Sequence, residues 1–169
     1  MPLLSELATA QKAAYFLPWL PKDARILEVG SGGGRFAARA RALGYADYTT
    51  LDLEPSANVA GDVRDWRALG LEPASFDALL AFEVVEHVPC FREMHDLLRP
   101  GALLMLTSPA PRWDWCCRVL ESLGLTQRRS SPHTHLIHFR HVPLFEPLEL
   151  RRPGLIAQWG VFRKPETGA

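Results

Sequence analysis

The amino-acid sequence predicts an α/β domain with a mostly parallel sheet that is covered by helices on both faces. Two observations lead to this prediction. Short apolar runs alternate along the chain with segments of helical spacing, and such alternation forms βαβ units whose right-handed crossovers place helices on both faces of the sheet. The length of 169 residues and the hydrophobic content of 47% suit one domain with a sizeable core.

Three segments make up this domain, which we expect to span residues 1–169. Residues 1–22 form an N-terminal cap helix, because apolar residues recur at roughly helical intervals until Pro18 ends the pattern. Residues 24–124 hold the alternating strands and helices, and we expect them to bind a cofactor. Residues 125–169 form an irregular tail that ends in one last strand.

The elements of the core follow from its apolar runs and its helix breakers. The predicted strands span residues 25–29, 47–54, 59–63, 102–109 and the first part of 76–88. The predicted helices span residues 34–44, 91–101 and 113–124, and each of them ends at a glycine. In such sheets, ligands bind beyond the carboxyl ends of the strands, so the loops after the strands are where a site is expected.

The tail has no clean periodicity. Residues 130–154 contain four prolines and four histidines, and we interpret them as a loop that covers the ligand-binding edge. Residues 154–164 are apolar enough for one strand. One strand is less than the antiparallel pair with which many such sheets end, so an abbreviated C-terminal strand pair is predicted.

The stretch "RILEVGSGGGRF" places a glycine-rich turn between the first strand and the next helix. Glycine weakens local structure unless the backbone needs positive φ or a ligand approaches closely. Gly30, Gly32 and Gly34 follow the pattern G-x-G-x-G, whereas a dinucleotide fingerprint would read G-x-G-x-x-G. This spacing argues against a nicotinamide-dependent oxidoreductase.

The pattern Glu-x-Gly-x-Gly-x-Gly that begins at Glu28 resembles motif I of the class I S-adenosylmethionine-dependent methyltransferases. The segments "LDLEP", "GDVRDW", "SFDALLAFEVVEHVP" and "LLRPGALLMLTSP" resemble the later motifs of the same family, in the branch called type 11. The resemblance covers residues 24–109. It implies a Rossmann-like class I methyltransferase fold and the cofactor S-adenosyl-L-methionine.

The resemblance also implies a cofactor-binding residue for each part of that molecule. The glycine turn and Glu28 would hold the methionine end, Asp52 the ribose hydroxyls, and Asp62 with the backbone of Val63 the adenine. Taken alone, Asp52 is equally compatible with a loop cap. The full predicted cofactor-binding set is Glu28, Gly30, Ser31, Gly32, Gly34, Asp52, Leu53, Asp62, Val63 and Phe82.

The sequence "EVVEH" places two acids and a histidine in the loop after the fourth strand, and three interpretations stay open. The acids can simply cap the following segment. Alternatively, Glu83 and His87 are catalytic, with His87 as a general base, because imidazole titrates near neutrality. In the third, Glu83, Glu86 and His87 bind a divalent cation, since E-x-x-E-H resembles the metal-binding segment of the quinone-ring O-methyltransferases of ubiquinone biosynthesis and of small-RNA 2′-O-methyltransferases.

The metal interpretation needs a further ligand, for which His133 and His135 are the candidates. We do not adopt it, and no metal is predicted. Trp113 and Trp115 follow the fifth strand, where they can form an aromatic wall of the substrate site or belong to the core.

Composition limits the partners. The formal net charge is zero, which argues against nucleic acid, and the local cluster of tail arginines is interpreted as solvated surface. The three cysteines form neither a disulfide framework nor a CxxC pair, and no apolar stretch approaches the length of a membrane span. Without a recognisable secretory signal, we expect a cytoplasmic protein. It acts on a small-molecule substrate or, alternatively, is a catalytically inactive cofactor-binding or scaffold protein.

Overall fold

The fold is built on one seven-stranded sheet, seen in a computed structural model that describes residues 2–109, 138–155 and 157–166. The strand order is β3-β2-β1-β4-β5-β7-β6. Strands β1 to β5 pair in parallel, whereas β7 is antiparallel to both β5 and β6. The strands are β1 (Ile26–Val29), β2 (Tyr48–Asp52), β3 (Val59–Ala60), β4 (Phe76–Phe82), β5 (Leu98–Pro109), β6 (Glu146–Arg151) and β7 (Ala157–Arg163).

Helices cover both faces of the sheet, as predicted. They are α1 (Pro2–Phe16), α2 (Arg35–Ala42) and α3 (Phe91–Leu97). Successive residues of a strand point to opposite faces, so Ile26 joins the apolar cluster of α1 and α2, while Leu27 joins that of α3. None of the helices in the described ranges combines the length and hydropathy that crossing a membrane requires. The helix expected over 113–124 lies outside the described residues.

The C-terminal part of the sheet corrects the sequence prediction. Residues 146–151, which we expected to be part of a loop, form β6 and complete an antiparallel pair with β7. This strand lies at the edge of the sheet and most of its residues are exposed. An edge strand with no buried face carries no alternation of apolar and polar residues, so the sequence gives little sign of it.

The boundary between α3 and β5 is also different from the prediction. The helix ends at Leu97 rather than near Gly101, and β5 begins at Leu98 rather than at 102. Lys164 Nζ donates hydrogen bonds to the carbonyl oxygens of His95 and Leu98, at 2.8 and 2.7 Å. The cation that caps this helix end therefore comes from far along the chain, and no local pattern predicts it.

Candidate functional site

The glycine turn begins directly after β1. The Gly30 N–H donates a hydrogen bond to the Leu51 carbonyl at 2.8 Å, which ties the turn to β2. A side chain at Gly30 would collide with Val84, and its φ of 74° is left-handed. Gly32 and Gly34 are also left-handed, at 50° and 68°, but a Cβ on either would meet open space. Packing thus requires glycine at Gly30, whereas backbone conformation favours it at the other two.

Asp52 connects the ends of β1 and β2. Its Oδ2 accepts a 2.7 Å hydrogen bond from the Gly32 N–H, and its Oδ1 accepts a 3.0 Å bond from the Glu54 N–H. A carboxylate has about four lone-pair sites, so each oxygen keeps acceptor capacity. The two segments singled out in the sequence therefore meet at one edge of the sheet.

A cavity of about 140 Å³ lies at this edge. Its lining includes five residues of the predicted cofactor-binding set, and Val84 and Val88 from the loop after β4 form part of its wall. Leu53 leaves 74% of its surface exposed at the mouth of this cavity. The five residues are Gly30, Asp52, Leu53, Asp62 and Val63.

Asp62 is held by its neighbour Arg64. The Arg64 backbone N–H donates to Oδ1 at 2.9 Å, and the guanidinium donates to both carboxylate oxygens. These hydrogen bonds from the Arg64 side chain keep the pKa of Asp62 below its usual range. Val63 begins a short 3-10 turn, so its N–H has no carbonyl partner within that turn.

Glu28 is buried on β1, two residues before the glycine turn, and does not line the cavity. Only 3% of the residue is exposed, and the Tyr48 hydroxyl donates a hydrogen bond to its Oε2 at 3.0 Å. Burial raises the pKa of Glu28 to about 7, although the Tyr48 hydrogen bond and the charge of Lys12 oppose the shift. Glu28 is therefore only partly ionised near neutral pH.

Glu83 adopts a left-handed backbone conformation, with φ of 57°, directly after β4. Such a conformation costs a non-glycine residue about 1 kcal/mol and persists only where the surroundings impose it. The Glu83 N–H donates to the Thr107 carbonyl at 3.0 Å, and the Thr107 hydroxyl donates to Glu83 Oε1 at 2.7 Å. Lys12 of α1 lies 3.4 Å from the same oxygen. Glu83 is thus fixed from β5 and from α1.

Phe82 is the last residue of β4, and its ring belongs to an aromatic cluster. The ring centroid lies 5.1 Å from that of Phe16 and 4.8 Å from that of Phe36. Lys12 Nζ lies 5.0 Å from the Phe82 centroid. This contact places a cation next to the end of β4.

Glu86 and His87 lie in the turn that follows. Glu86 is fully buried, and neither of its carboxyl oxygens has a hydrogen-bond partner among the described residues. Burial, and then the charge of Glu83, raise its pKa to about 8. Contacts with the side chains of Ser108 and Glu83 also affect this pKa, the first lowering it and the second raising it, although neither has the geometry of a well-aligned hydrogen bond. His87 is half-buried, and its backbone N–H donates to the Val84 carbonyl at 2.9 Å.

The described residues offer no group of three or more histidine, cysteine, aspartate or glutamate side chains that could hold a metal ion. The interpretation of Glu83, Glu86 and His87 as a metal site therefore has no support from this part of the chain. The further ligands considered for it, His133 and His135, lie outside the described residues, as do Trp113 and Trp115.

Three residues of the site were not identified from the sequence. Lys12 is 71 residues from the Glu83 carboxylate that it contacts, and Thr107 is 24 residues from it. Tyr48, the partner of Glu28, lies on the neighbouring strand. Only Tyr48 had a usable signal, because an acid and a phenol on the same face of two adjacent parallel strands can be expected to meet.

The chain resembles known proteins in sequence and in structure. A family model described as a methyltransferase domain matches residues 5–153. The chain is 35% identical to a ubiquinone biosynthesis O-methyltransferase of Xanthomonas campestris pv. campestris, over an alignment that covers 50% of this chain and 43% of that protein. The match thus spans less than half the length of that relative.

Two solved structures have a similar fold. The N-methyltransferase NodS of Bradyrhizobium japonicum, in complex with S-adenosyl-L-homocysteine, superposes with a TM-score of 0.64 and 18% identity, covering 95% of this chain and 87% of NodS. The [4+2]-cyclase SpnF superposes with a TM-score of 0.58 and 18% identity, covering 95% of this chain and 80% of SpnF. At these identities the likeness shows the fold alone.

Proposed function

Because the chain belongs to the class I S-adenosylmethionine-dependent methyltransferase family, we propose that it transfers a methyl group from S-adenosylmethionine to a small-molecule acceptor. The observation that carries the proposal is the open cavity between the glycine turn and Asp52. Both features lie at the carboxyl end of parallel strands, where folds of this type bind ligands.

The residues around the cavity fit this cofactor. The left-handed glycines Gly32 and Gly34 leave open space beside the backbone, and the buried hydroxyl of Ser31 has no hydrogen-bond partner among the described residues. A polar atom in that state suits a ligand that would satisfy it. The exposed side of Leu53 offers an apolar surface for a flat ring.

Each part of the cofactor has a residue of suitable chemistry. Asp52 retains acceptor capacity for the ribose hydroxyls after its two backbone hydrogen bonds. Asp62 and the N–H of Val63 can recognise the adenine, provided that the Asp62 carboxylate shares its lone pairs between Arg64 and the base. The glycine turn would hold the methionine end, with Glu28 buried on β1 just before it as a support.

The methionine end carries both an ammonium and a carboxylate group. Lys12 and Glu83 lie 3.4 Å apart beside the end of β4 and offer one complementary charge for each. We assign Lys12 to the carboxylate group, a role that the sequence did not suggest. Glu83 would then remain next to the reacting methyl group, together with the ring of Phe82.

When bound, S-adenosylmethionine supplies a sulfonium methyl group, and much of its in-line transfer depends on alignment and proximity. Glu83 is the stronger catalytic candidate, because its side chain is 45% exposed and three contacts fix it. His87 is the second candidate, as a general base for an acidic acceptor hydroxyl. Glu86, which burial keeps largely protonated at neutral pH, would support the loop.

Isothermal titration calorimetry with S-adenosylmethionine and S-adenosylhomocysteine tests the cofactor assignment. We expect saturable binding of both, followed by incorporation of labelled methyl groups when the chain is incubated with a metabolite pool. A folded chain that binds neither molecule would contradict the proposal.

A second candidate is a cofactor-binding protein that does not transfer methyl groups. The structural likeness to a [4+2]-cyclase supports this second candidate, because proteins that share one fold can carry out different reactions. The two candidates differ in one result. Binding of S-adenosylhomocysteine without label incorporation, across pools rich in phenols, amines and carboxylic acids, would favour the non-methylating protein.

A further inference from the structure

A groove of about 740 Å³ lies apart from the cavity at the glycine turn. It runs between α1, with the turn that follows it, and the antiparallel pair of β6 and β7. We call it the α1–β7 groove. Its chemically distinctive lining residues are Tyr15, Trp19, Glu149, Arg151, Arg152 and Trp159.

The α1–β7 groove begins close to the proposed transfer site. Trp159 stands opposite Thr107 in the pairing of β7 with β5, and Thr107 donates the hydrogen bond that fixes Glu83. The Trp159 ring also lies 5.5 Å from Phe16, whose ring is 5.1 Å from Phe82. Trp159, on the inner wall of the groove, is therefore separated from β4 and the adjoining Glu83 by strand β5 alone.

The walls of the groove are aromatic. The ring centroids of Tyr15 and Trp159 are 5.3 Å apart, and Trp19 lines the same space. All three side chains belong to half-buried residues, so part of each is accessible from the groove. Aromatic walls favour a flat ring, because stacked or edge-to-face contacts add to the burial of apolar area.

The charges of the groove favour an anion. Arg151 Nε donates to Glu149 Oε1 at 2.8 Å, and the same oxygen accepts a 3.2 Å hydrogen bond from the Tyr15 hydroxyl. Arg152 is exposed and forms no ion pair with any described residue. The lining of the groove thus contains two guanidinium groups and one carboxylate, and guanidinium binds carboxylate and phosphate groups in a bidentate manner.

We propose that the α1–β7 groove binds a planar aromatic ring that carries a carboxylate or phosphate group, with Arg152 as the residue that binds the anion. This inference rests on the proposed methyl transfer. In that reaction, the ligand bound in the groove is the acceptor of the methyl group. Because the rings of Tyr15 and Trp159 contact each other, an aromatic ligand would pack against their groove-facing surfaces rather than between them. This arrangement narrows the acceptor from any small molecule to aromatic acids or aryl phosphates.

Calorimetry with four probes tests the groove on the full chain. The probes are 2-naphthoate, 2-naphthyl phosphate, 2-naphthamide and cyclohexanecarboxylate. We expect one of the two naphthyl anions to bind about tenfold more tightly than the amide, which lacks the charge, and than the cyclohexane acid, which lacks the aromatic ring. The tighter of the two anions identifies the anionic group.

Arg152→Gln should weaken the preferred anion about tenfold, as expected for loss of one charge-assisted contact. Arg163→Gln is the matched control, because Arg163 is exposed at the opposite end of β7 and does not line the groove. Equal affinity for the naphthyl anions and the amide, no binding of either anion, or equal losses in both variants would overturn the inference. A parallel titration with S-adenosylhomocysteine reports on the proposed function separately, because it concerns the other cavity.

Discussion

Two regions of the site are built in different ways. At the ends of β1 and β2, backbone N–H groups of the glycine turn bind the strand beside it and Asp52, across 20 to 21 residues. At the ends of β4 and β5, the side chains of Lys12 and Thr107 fix Glu83 across 71 and 24 residues. The first region depends on the path of the backbone, whereas the second depends on side chains from separate segments. Changes of backbone freedom should therefore harm the first region most, and changes of charge the second.

Each region also contains a buried carboxyl group. Glu28 has a hydrogen-bond partner in Tyr48, whereas Glu86 has none among the described residues. The pKa of each is raised chiefly by burial, to about 7 and about 8. The carboxyl group of Glu28 is thus satisfied by its neighbouring strand, whereas the Glu86 carboxyl and, within the glycine turn, the Ser31 hydroxyl have no hydrogen-bond partner among the described residues.

Gly30→Ala should have the largest effect of any single change considered for the two regions. The new methyl group would collide with Val84 in a left-handed backbone conformation, and overpacking together with this strain should lower the free energy of unfolding by about 3 kcal/mol. Urea denaturation measures this loss in the free energy of unfolding. Gly33→Ala is the matched control, because a Cβ there meets nothing within 4 Å. Equal destabilisation by both changes would refute the packing argument.

Stability should fall as the pH rises from 5 to 8. A carboxyl group whose pKa is higher in the folded than in the unfolded chain stabilises the fold while it is protonated, and loses that contribution as the pH rises through the folded pKa. For Glu28, a change from 4.5 to about 7 corresponds to about 3 kcal/mol. Urea denaturation at several pH values measures the loss.

Glu28→Gln removes the titrating group but keeps an acceptor for the Tyr48 hydroxyl. We expect this variant to lose less stability than the wild type between pH 5 and 7. The remaining decline, up to about pH 8, should be reduced in Glu86→Gln, since that carboxyl has the higher pKa. If the free energy of unfolding falls with pH as steeply in both variants as in the wild type, neither carboxyl group is the source of the pH dependence.

Asp52→Ala should weaken the binding of S-adenosylhomocysteine about tenfold, through the loss of charge-assisted hydrogen bonds. The change also releases the Gly32 N–H, so it tests the link between the two strand ends. Calorimetry gives the affinity. Asp47→Ala, an exposed acid that precedes β2, is the control and should bind as the wild type does. An unchanged affinity for Asp52→Ala would remove Asp52 from the cofactor site.

Lys12→Gln should change stability least, by under about 1 kcal/mol, because partly exposed ion pairs contribute little. Its effect on cofactor affinity should be larger than its effect on stability if Lys12 binds the carboxylate group of the methionine end. Chemical denaturation measures the change in stability, and calorimetry on the same preparation measures the change in cofactor affinity. Lys22→Gln, which removes an exposed cation that binds the Leu43 carbonyl, provides the comparison. Identical affinities for the two variants would remove Lys12 from the site.

The order of strands and helices up to Pro109 was predictable, since each buried strand is a local apolar run. The glycine turn and Asp52 were predictable as well, because both follow directly from motifs at strand ends. The edge strand β6 was not, because its exposed residues carry no burial pattern. The burial of Glu28 against Tyr48 and the pairing of Asp62 with Arg64 also became apparent only in three dimensions.

The sequence by itself determined the family, the parallel sheet and the glycine turn after β1, because these depend on local periodicity and on glycines at one turn. Only the tertiary structure decided which side chains surround Glu83, which carboxyl groups lose their water, and that Tyr15, Trp159 and two arginines share a groove. The physical reason is that desolvation and ion pairing depend on distances between residues that are far apart in the chain.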